Sequence, residues 1–256
     1  NGTPRLTLET GTNDAVVNYT SGTGTNTLTF NYTVASGHTS SDLDYVATSS
    51  LALNSGTIKD GAGNNATLTL ASPGATNSLS ANKGLIVDAV IPTVTNVTSS
   101  KDDGYGKIGD VIPIVATFSE AVNIVGGPQL TLETGNADAV VNYTSGSGSS
   151  TLTFNYTVSE GESSSDLDYA STSALGLNNG TIKDASGNNA TLTLASPGAT
   201  NSLGNAKALV VDGVRASVTS VTSTVADNNY DIGEVIPIVV NFSEVVTVTG
   251  APQITL

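Results

Sequence analysis

The strongest constraint on the fold of this chain is that its sequence repeats. Pro4, Pro128 and Pro252 follow one another at intervals of 124 residues, and most aligned positions of the copies carry the same residue. The 256 residues amount to two periods of one unit and eight residues more. Self-similarity at a fixed interval is typical of proteins built from tandem modules. The sequence therefore predicts copies of one module, rather than two domains with separate functions.

Within each repeat, apolar and polar residues alternate, which is the pattern of a half-buried β-strand. In segment 151–158, Leu152, Phe154, Tyr156 and Val158 share one face, and Thr and Asn residues take the other. Turn sequences rich in Gly, Asn and Ser separate such segments, and no helical periodicity lasts beyond one turn. About eight or nine short strands per repeat predict an all-β fold, in which each module is a Greek-key β-sandwich.

The repeat also predicts where the modules begin and end. The natural frame starts at Pro92 and closes near Asp212. We expect residues 92–212 to form one complete module, residues 1–91 to form a module without its first strands, and residues 213–256 to supply the first strands of a third. The linkers are only a few residues long, so neighbouring modules must nearly touch.

Both ends of the chain fall inside the repeat. Residues 2–8, 126–132 and 250–256 carry versions of the same sequence. The chain is either an excerpt of a longer array, or incomplete modules of different chains complete one another by exchanging strands. Because the duplicated residues would compete for one strand position in such an exchange, we favour the excerpt. With neither an initiator Met nor a signal peptide in view, targeting cannot be read directly.

The complete module contains several short motifs in a fixed order. They are Asp103-Gly104-Tyr105, Ile108-Gly109-Asp110, Phe118-Ser119-Glu120, Gly127-Pro128-Gln129-Leu130-Thr131-Leu132-Glu133, Asp166-Leu167-Asp168-Tyr169 and Ile182-Lys183-Asp184-Ala185-Ser186-Gly187-Asn188. Together they resemble the bacterial Ig-like tandem modules of very large surface proteins and adhesins. The resemblance implies an Ig-like sandwich fold, an extracellular or cell-surface location, and work as an extender between a cell anchor and a remote tip.

Composition excludes several classes of partner. Eight Lys and Arg against 22 Asp and Glu give a net charge of −14, so we expect neither nucleic acid nor an anionic membrane surface to bind. The apolar runs are too short to span a bilayer. The chain has no Cys, which rules out disulfides and thiolate metal sites.

Acidic residues are expected to gather where modules meet. Consecutive strands of a sandwich run in alternate directions, so their loops fall alternately at its two ends. Counting alternations places most aspartates of the complete module at its far end, away from the preceding linker, and places Glu120 at its near end. The far end of one module faces the near end of its successor, so these carboxylates should meet at the junctions.

Such a concentration of like charge favours a bound cation, because two carboxylates about 4 Å apart repel by about 1 kcal/mol in water. Ca²⁺ takes roughly six to eight oxygen ligands and needs neither His nor Cys. One calcium site is expected to use Asp212 with Asp166, Asp168 or Asp184, and Glu244 as a further ligand. The site at the preceding junction would use Asp88 with Asp42, Asp44 or Asp60, and Glu120 as a further ligand. The alternative is that these carboxylates are solvated turn residues that keep the protein soluble.

Catalysis and modification find little support in the residues. The single histidine, His38, aligns with Glu162 of the next copy, so a histidine-based mechanism would be missing from a near-identical twin. Trp is absent and aromatic residues make up 5% of the chain, so aromatic platforms for sugars are scarce. We therefore do not expect this protein to be an enzyme. Asn31 and Asn155 begin Asn-X-Thr triplets on polar strand faces and are candidate glycosylation sites, although an Asn- and Thr-rich chain also forms such triplets by chance.

Taken together, the sequence predicts a structural extender of an extracellular tandem-repeat adhesin or fibre, stiffened at its module junctions by calcium. Its partners would be the neighbouring modules of the same chain. The alternative is a subunit of a self-assembling extracellular filament, in which identical chains make lateral or strand-complementing contacts.

Overall fold

The computed structural model describes residues 2–255 and is built almost wholly of β-strands, which confirms the prediction of an all-β fold. In chain order the elements are β1 (Arg5–Leu8), β2 (Ala15–Ser21), β3 (Thr29–Phe30), β4 (Thr39–Ser40), β5 (Leu51–Ala52), α1 (Leu79–Asn82), β6 (Val87–Asp88), β7 (Val94–Ser99), β8 (Gly104–Lys107), β9 (Val111–Val125), β10 (Gln129–Leu132), β11 (Ala139–Ser145), β12 (Ser149–Thr157), β13 (Ser163–Ser164), β14 (Leu175–Gly176), β15 (Thr181–Lys183), α2 (Leu203–Ala206), β16 (Leu209–Asp212), β17 (Val218–Ser223) and β18 (Ile238–Phe242).

The long strand β9 organises the central part of the chain. Its first half pairs with β12 on one side and β7 on the other, and its last residues pair with β15. The sheet runs in the order β14-β10-β11-β12-β9-β15, and a second sheet has the order β13-β16-β8. Alternate residues of β9 point inward, and Ile112, Ile114 and Ala116 are almost completely buried, as the alternating pattern predicts.

A single large core fills this central part. Fully buried aromatic and aliphatic side chains from both sheets contact one another, including Phe154 and Tyr156 of β12, Tyr169 after β13, and Leu209 of β16. All members of this core lie between Val97 and Val211 or pack against it from within residues 94–211. This region thus has the hydrophobic interior that a stable β-sandwich needs.

The first part of the chain repeats four strand pairs of the central part, β1–β2, β2–β3, β1–β5 and β4–β6, and has a much smaller core. Arg5 lies opposite Asn18 in the β1–β2 pair, just as Gln129 lies opposite Asn142 in the β10–β11 pair. Its buried hydrophobic residues are Leu8, Val17, Leu43, Tyr45 and Val87. Strand β3 has two residues where β12 has nine, because nothing within residues 2–255 pairs with its outer edge.

The last part, from residue 213 onward, forms the two-stranded sheet β17–β18. None of its side chains is buried in the described range. Each of the two helices is a single turn, and Ser78 and Ser202 cap their N-terminal ends. No helix in residues 2–255 is long and apolar enough to cross a bilayer.

Candidate metal centre

Three carboxylates converge where the chain passes from its first part into its central part. Asp88 ends β6, Glu120 belongs to β9, and Asp184 follows β15. One carboxylate oxygen of each lies within 4.8 Å of the other two. Across residues 2–255, this is the one group of three His, Cys, Asp or Glu side chains that comes this close.

Asp88 and Asp184 are fixed by hydrogen bonds from the turn that follows β15. The Asn188 amide donates to Asp184 Oδ2 at 2.7 Å and to the backbone oxygen of Asp88 at 3.0 Å. The Ser186 hydroxyl donates to Asp88 Oδ2 at 2.7 Å. A further bridge joins Thr93 and Thr191 in parallel. The turn therefore holds the end of the preceding unit directly against the central one.

Glu120 is not held in this way. Its Oε1 atom is buried and has no hydrogen-bond partner. Burial, followed by the negative charges of Asp88 and Asp184, raises the pKa of Glu120 above its usual value. A buried carboxylate oxygen without a partner carries a desolvation cost that a bound cation would offset.

The pKa of Asp184 is shifted in the opposite direction to that of Glu120, although Asp184 is more deeply buried. Burial opposes its ionisation and is the largest single influence, but hydrogen bonds from Asn188, Gly187 and Ser186 together lower its pKa. Asp184 is thus an ionised carboxylate at neutral pH, close to the poorly compensated Glu120.

Within residues 2–255, no basic side chain forms an ion pair with this cluster. The one ion pair within the described part of the chain joins Arg215 and Glu160 and lies elsewhere. Two oxygens bound to the same Ca²⁺ at about 2.4 Å lie at most about 4.8 Å apart, so the spacing of the three carboxylates fits one such ion. The oxygen-only donor set is that of a hard cation, with backbone carbonyls or water completing the shell.

The grouping differs from the one expected from the sequence. Asp88 and Glu120 do meet, but Asp184 joins them, and the expectation that it lies at the far end beside Asp212 is wrong. The reason is that β15 pairs with the end of β9, with Lys183 opposite Asn123, so the next turn lies beside Glu120. Counting the alternating strand directions placed Asp184 at the wrong end, because β13 and β14 have only two residues each and do not cross the module.

Asp44 and Asp168, both expected at junctions, serve instead inside their own units. Asp44 is buried and accepts hydrogen bonds from the Ser80 hydroxyl at 2.7 Å and from the Gly74 and Tyr45 amides. Burial opposes ionisation of Asp44, but these hydrogen bonds outweigh it and hold its pKa well below the usual range. Asp168 accepts from the equivalent amides of Tyr169 and Gly198. Both carboxylates therefore brace loops, and neither joins the three-carboxylate cluster.

The other predicted ligands are not brought together. Asp42, Asp166 and Glu244 are exposed, and Asp60 is bound by Asn64 in its own turn, as Asp184 is by Asn188. Asp212 is half-buried opposite Ser163 and Lys107 at the far end of the central part. Of the three positions one period beyond the cluster, the 256 residues include two, Asp212 and Glu244.

Sequence reasoning missed the two residues that build the junction. Ser186 and Asn188 were recognised only as a turn, although each makes a hydrogen bond to Asp88 across about 100 residues. The available signal was the run from Asp184 to Asn188, whose short polar side chains are typical of turns that bind neighbouring backbone or carboxylate groups.

The remaining candidates have simple surroundings. The side chains of Asn31 and Asn155 are exposed, as an acceptor for glycosylation must be, and their modification stays a prediction. His38 is half-buried, stacks on Tyr32, and accepts a hydrogen bond from the Ala35 amide through Nδ1. Glu162 takes the same position in the central part, where it accepts from Tyr156. His38 thus closes a loop in the first unit.

No protein-family model, curated protein or solved structure matches the chain.

Proposed function

We propose that this chain is a structural extender of an extracellular tandem-repeat adhesin or fibre, made of Ig-like Greek-key modules that recur every 124 residues. The observation that carries the proposal is the direct contact of Ser186 and Asn188 with Asp88. Because this contact joins the end of one unit to the body of the next, it fixes the orientation of the two units relative to each other. In this role the chain works through length and stiffness at the cell surface and catalyses no reaction.

The joint is completed by Ca²⁺ bound between Asp88, Glu120 and Asp184. The ion supplies the positive charge that the cluster lacks and a partner for the buried Oε1 of Glu120. Asp88 comes from the preceding unit, whereas Glu120 and Asp184 belong to the central part. Binding therefore adds links across the joint, and loss of the ion restores bending.

The repeat offers a matched pair of variants to test this site. Asp88 and Asp212 are equivalent positions, but among the described residues only Asp88 has two further carboxylates beside it. Adding about 1 mM Ca²⁺ to the chelated protein should raise its melting temperature, since a ligand at 100 times its Kd stabilises by about 2.7 kcal/mol. The rise should be lost in Asp88→Asn and kept in Asp212→Asn. An equal calcium response of the two variants would rule out this site.

Stiffness can be measured separately from stability. The chain has no Cys, so spin labels attach only at introduced positions. Thr12→Cys and Ser145→Cys place labels on exposed residues of the first and the central unit. Calcium should narrow the distance distribution between them, and the Asp88→Asn background should leave it broad. A distribution that is equally broad with and without calcium would contradict the stiffened joint.

A further inference from the structure

The side of the central part formed by β11 and β12 ends in unpaired strand edges. Strand β11 pairs with β10 through residues 139–142, and with β12 only at Tyr143 and Ser145. Because β11 passes from one sheet to the other, its first half lies apart from the end of β12, and an opening of about 520 Å³ separates them. We propose that this side is an interface, at which the β11 strands of two copies of the chain pair antiparallel.

The backbone of β11 directs hydrogen-bonding groups into the opening. The Tyr143 amide donates to the Pro128 oxygen, on the β10 side, at 2.8 Å. Successive residues of a strand direct their N–H and C=O groups to opposite sides. Val140 and Asn142 therefore direct theirs away from β10, at a point where β12 no longer pairs with β11. We call residues 139–142 of β11 the free edge.

The end of β12 is open on the same side. Residues 155–157 pair with β9 along one side of the strand. The Asn155 amide faces the other side, where it donates to the Thr144 hydroxyl at 3.3 Å. Thr157 follows on that side, beyond the residues of β12 that pair with β11. Both strands thus end a sheet along one side of the module, and a second module can continue both sheets there.

The free edge belongs to the repeated module, because the first unit shows it again. Residues 15–21 and 139–145 have the same sequence and the same pattern of burial. The opening beside β2 measures about 500 Å³ and is lined by the equivalent residues. In the central part the free edge lies between β10 and β12, strands that both belong to the large sheet. The repeat therefore provides one such edge in each period.

The free edge has no charge or proline to keep another strand away. Natural proteins commonly protect exposed edge strands with Lys, Pro or inward-pointing charges. Residues 139–142 are Ala-Val-Val-Asn, and β-branched residues such as these valines favour strand pairing. Val140 is 57% exposed, and its counterpart Val16 is 53% exposed. Unpaired backbone groups beside such side chains are a template for a further strand.

A second copy of the chain is the partner that fits this edge. Two identical strands that pair antiparallel are related by a two-fold axis, so the free edge is its own complement. Each copy has a net charge of −14, and two copies therefore repel each other wherever their carboxylates meet. Pairing through residues 139–142 brings together two segments that carry no charge.

The direction of the backbone groups determines the register of this pair. With Val141 opposite Val141 of the second copy, Val140 of each copy lies opposite Asn142 of the other. The N–H and C=O groups of both free edges then form about four hydrogen bonds. Asp138, which precedes β11, lies opposite Thr144 of the second copy. The two Asp138 side chains are about 20 Å apart along the strands, so they do not oppose the contact.

One pair of edges is a small contact. It takes four residues of β11 and three of β12 from each copy, fewer than the roughly 20 to 30 residues per partner in a stable complex. Association through one module should therefore be weak, and several edges engaged at once should strengthen it. The contact is independent of the calcium joint, since Asp88, Glu120 and Asp184 take no part in it.

The first test removes the N–H groups of the free edges. In sedimentation equilibrium with chelator present, the wild-type chain should associate reversibly as its concentration rises to about 1 mM. Val16→Pro combined with Val140→Pro removes donors that face the openings, and should weaken association at least about tenfold. Val16→Thr combined with Val140→Thr keeps the N–H groups and the β-branched shape, and should associate like the wild type. A wild-type chain that stays monomeric, or equal association of the two double variants, would overturn the proposal.

The second test reads the register and needs no proline, so it decides the matter if the proline variant does not fold. The chain has no Cys of its own. Chains carrying Val140→Cys and Asn142→Cys separately should form a disulfide-linked pair when mixed and oxidised, because residues opposite each other in a hydrogen-bonded pair have Cα atoms about 5.5 Å apart. Thr95→Cys mixed with Asn142→Cys is the control, since Thr95 is exposed on β7, across β9 from β12. Equal yields from the two mixtures, or no cross-link in the first, would contradict the pairing of free edges.

Discussion

Glu120 combines three unfavourable features: a buried oxygen, no hydrogen-bond partner for it, and two nearby carboxylates. Its raised pKa has a defined consequence for stability in the absence of a cation. The group binds its proton more tightly in the folded state, so its contribution to stability is present at low pH and is lost as the pH rises through the folded pKa, above the usual 4.5.

Neutralising this side chain should therefore stabilise the metal-free protein. In chelator at pH 7, Glu120→Gln should raise the melting temperature of the central part by about 4 °C if it relieves about 1 kcal/mol of repulsion. The same variant should lose the additional rise produced by calcium. Asp102→Asn is the control, since it removes the same charge from an exposed position.

A pH series separates this effect from that of its neighbour. The pKa of Asp184 is lowered, so its contribution to stability is lost only as the pH falls below its usual value of 3.8. Between pH 4.5 and 7, the wild-type chain in chelator should lose stability relative to Glu120→Gln. If the difference between the two melting temperatures stays constant across that pH range, the assigned environment of Glu120 is incorrect.

At the scale of an element, helix α2 differs from α1 at one informative position. Ser80 in α1 donates a hydrogen bond to Asp44, whereas the equivalent residue in α2 is Gly204, beside Asp168. A Cβ atom at Gly204 would lie 3.0 Å from Asp168 Oδ2, so the carboxylate must move by a few tenths of an ångström to admit it. The first unit shows that the serine arrangement can form.

Gly204→Ser should therefore stabilise the central part by about 1 kcal/mol through a new hydrogen bond to Asp168. Gly204→Ala is the matched control, because it adds the same Cβ without the hydroxyl, and the helical preference of Ser is lower than that of Ala by about 0.5 kcal/mol. Chemical denaturation of both variants isolates the hydrogen bond. A Ser variant that is less stable than the Ala variant by this difference in helical preference would show that no such bond forms.

Strands and inward faces followed from the sequence more readily than the position of the turns. Alternation identifies Ile112, Ile114 and Phe118 as core residues, because side chains on a strand alternate between its faces. It does not reveal that β9 continues to Val125 and changes partners from β12 to β15. That change depends on long-range pairing, and it brings Asp184 to Glu120. The carboxylates of the site were therefore recognisable as a set, but their grouping was not.

At the scale of the whole molecule, local stability should follow the completeness of each core. The central part buries residues from both of its sheets, the first unit buries five hydrophobic residues, and residues 213–255 bury no hydrophobic side chain. Hydrogen exchange protection reflects the free energy of local opening, which falls where few apolar contacts are buried. Amides of β9 and β12 should exchange slowest, and those of β17 and β18 fastest, in a dilute solution of the chain.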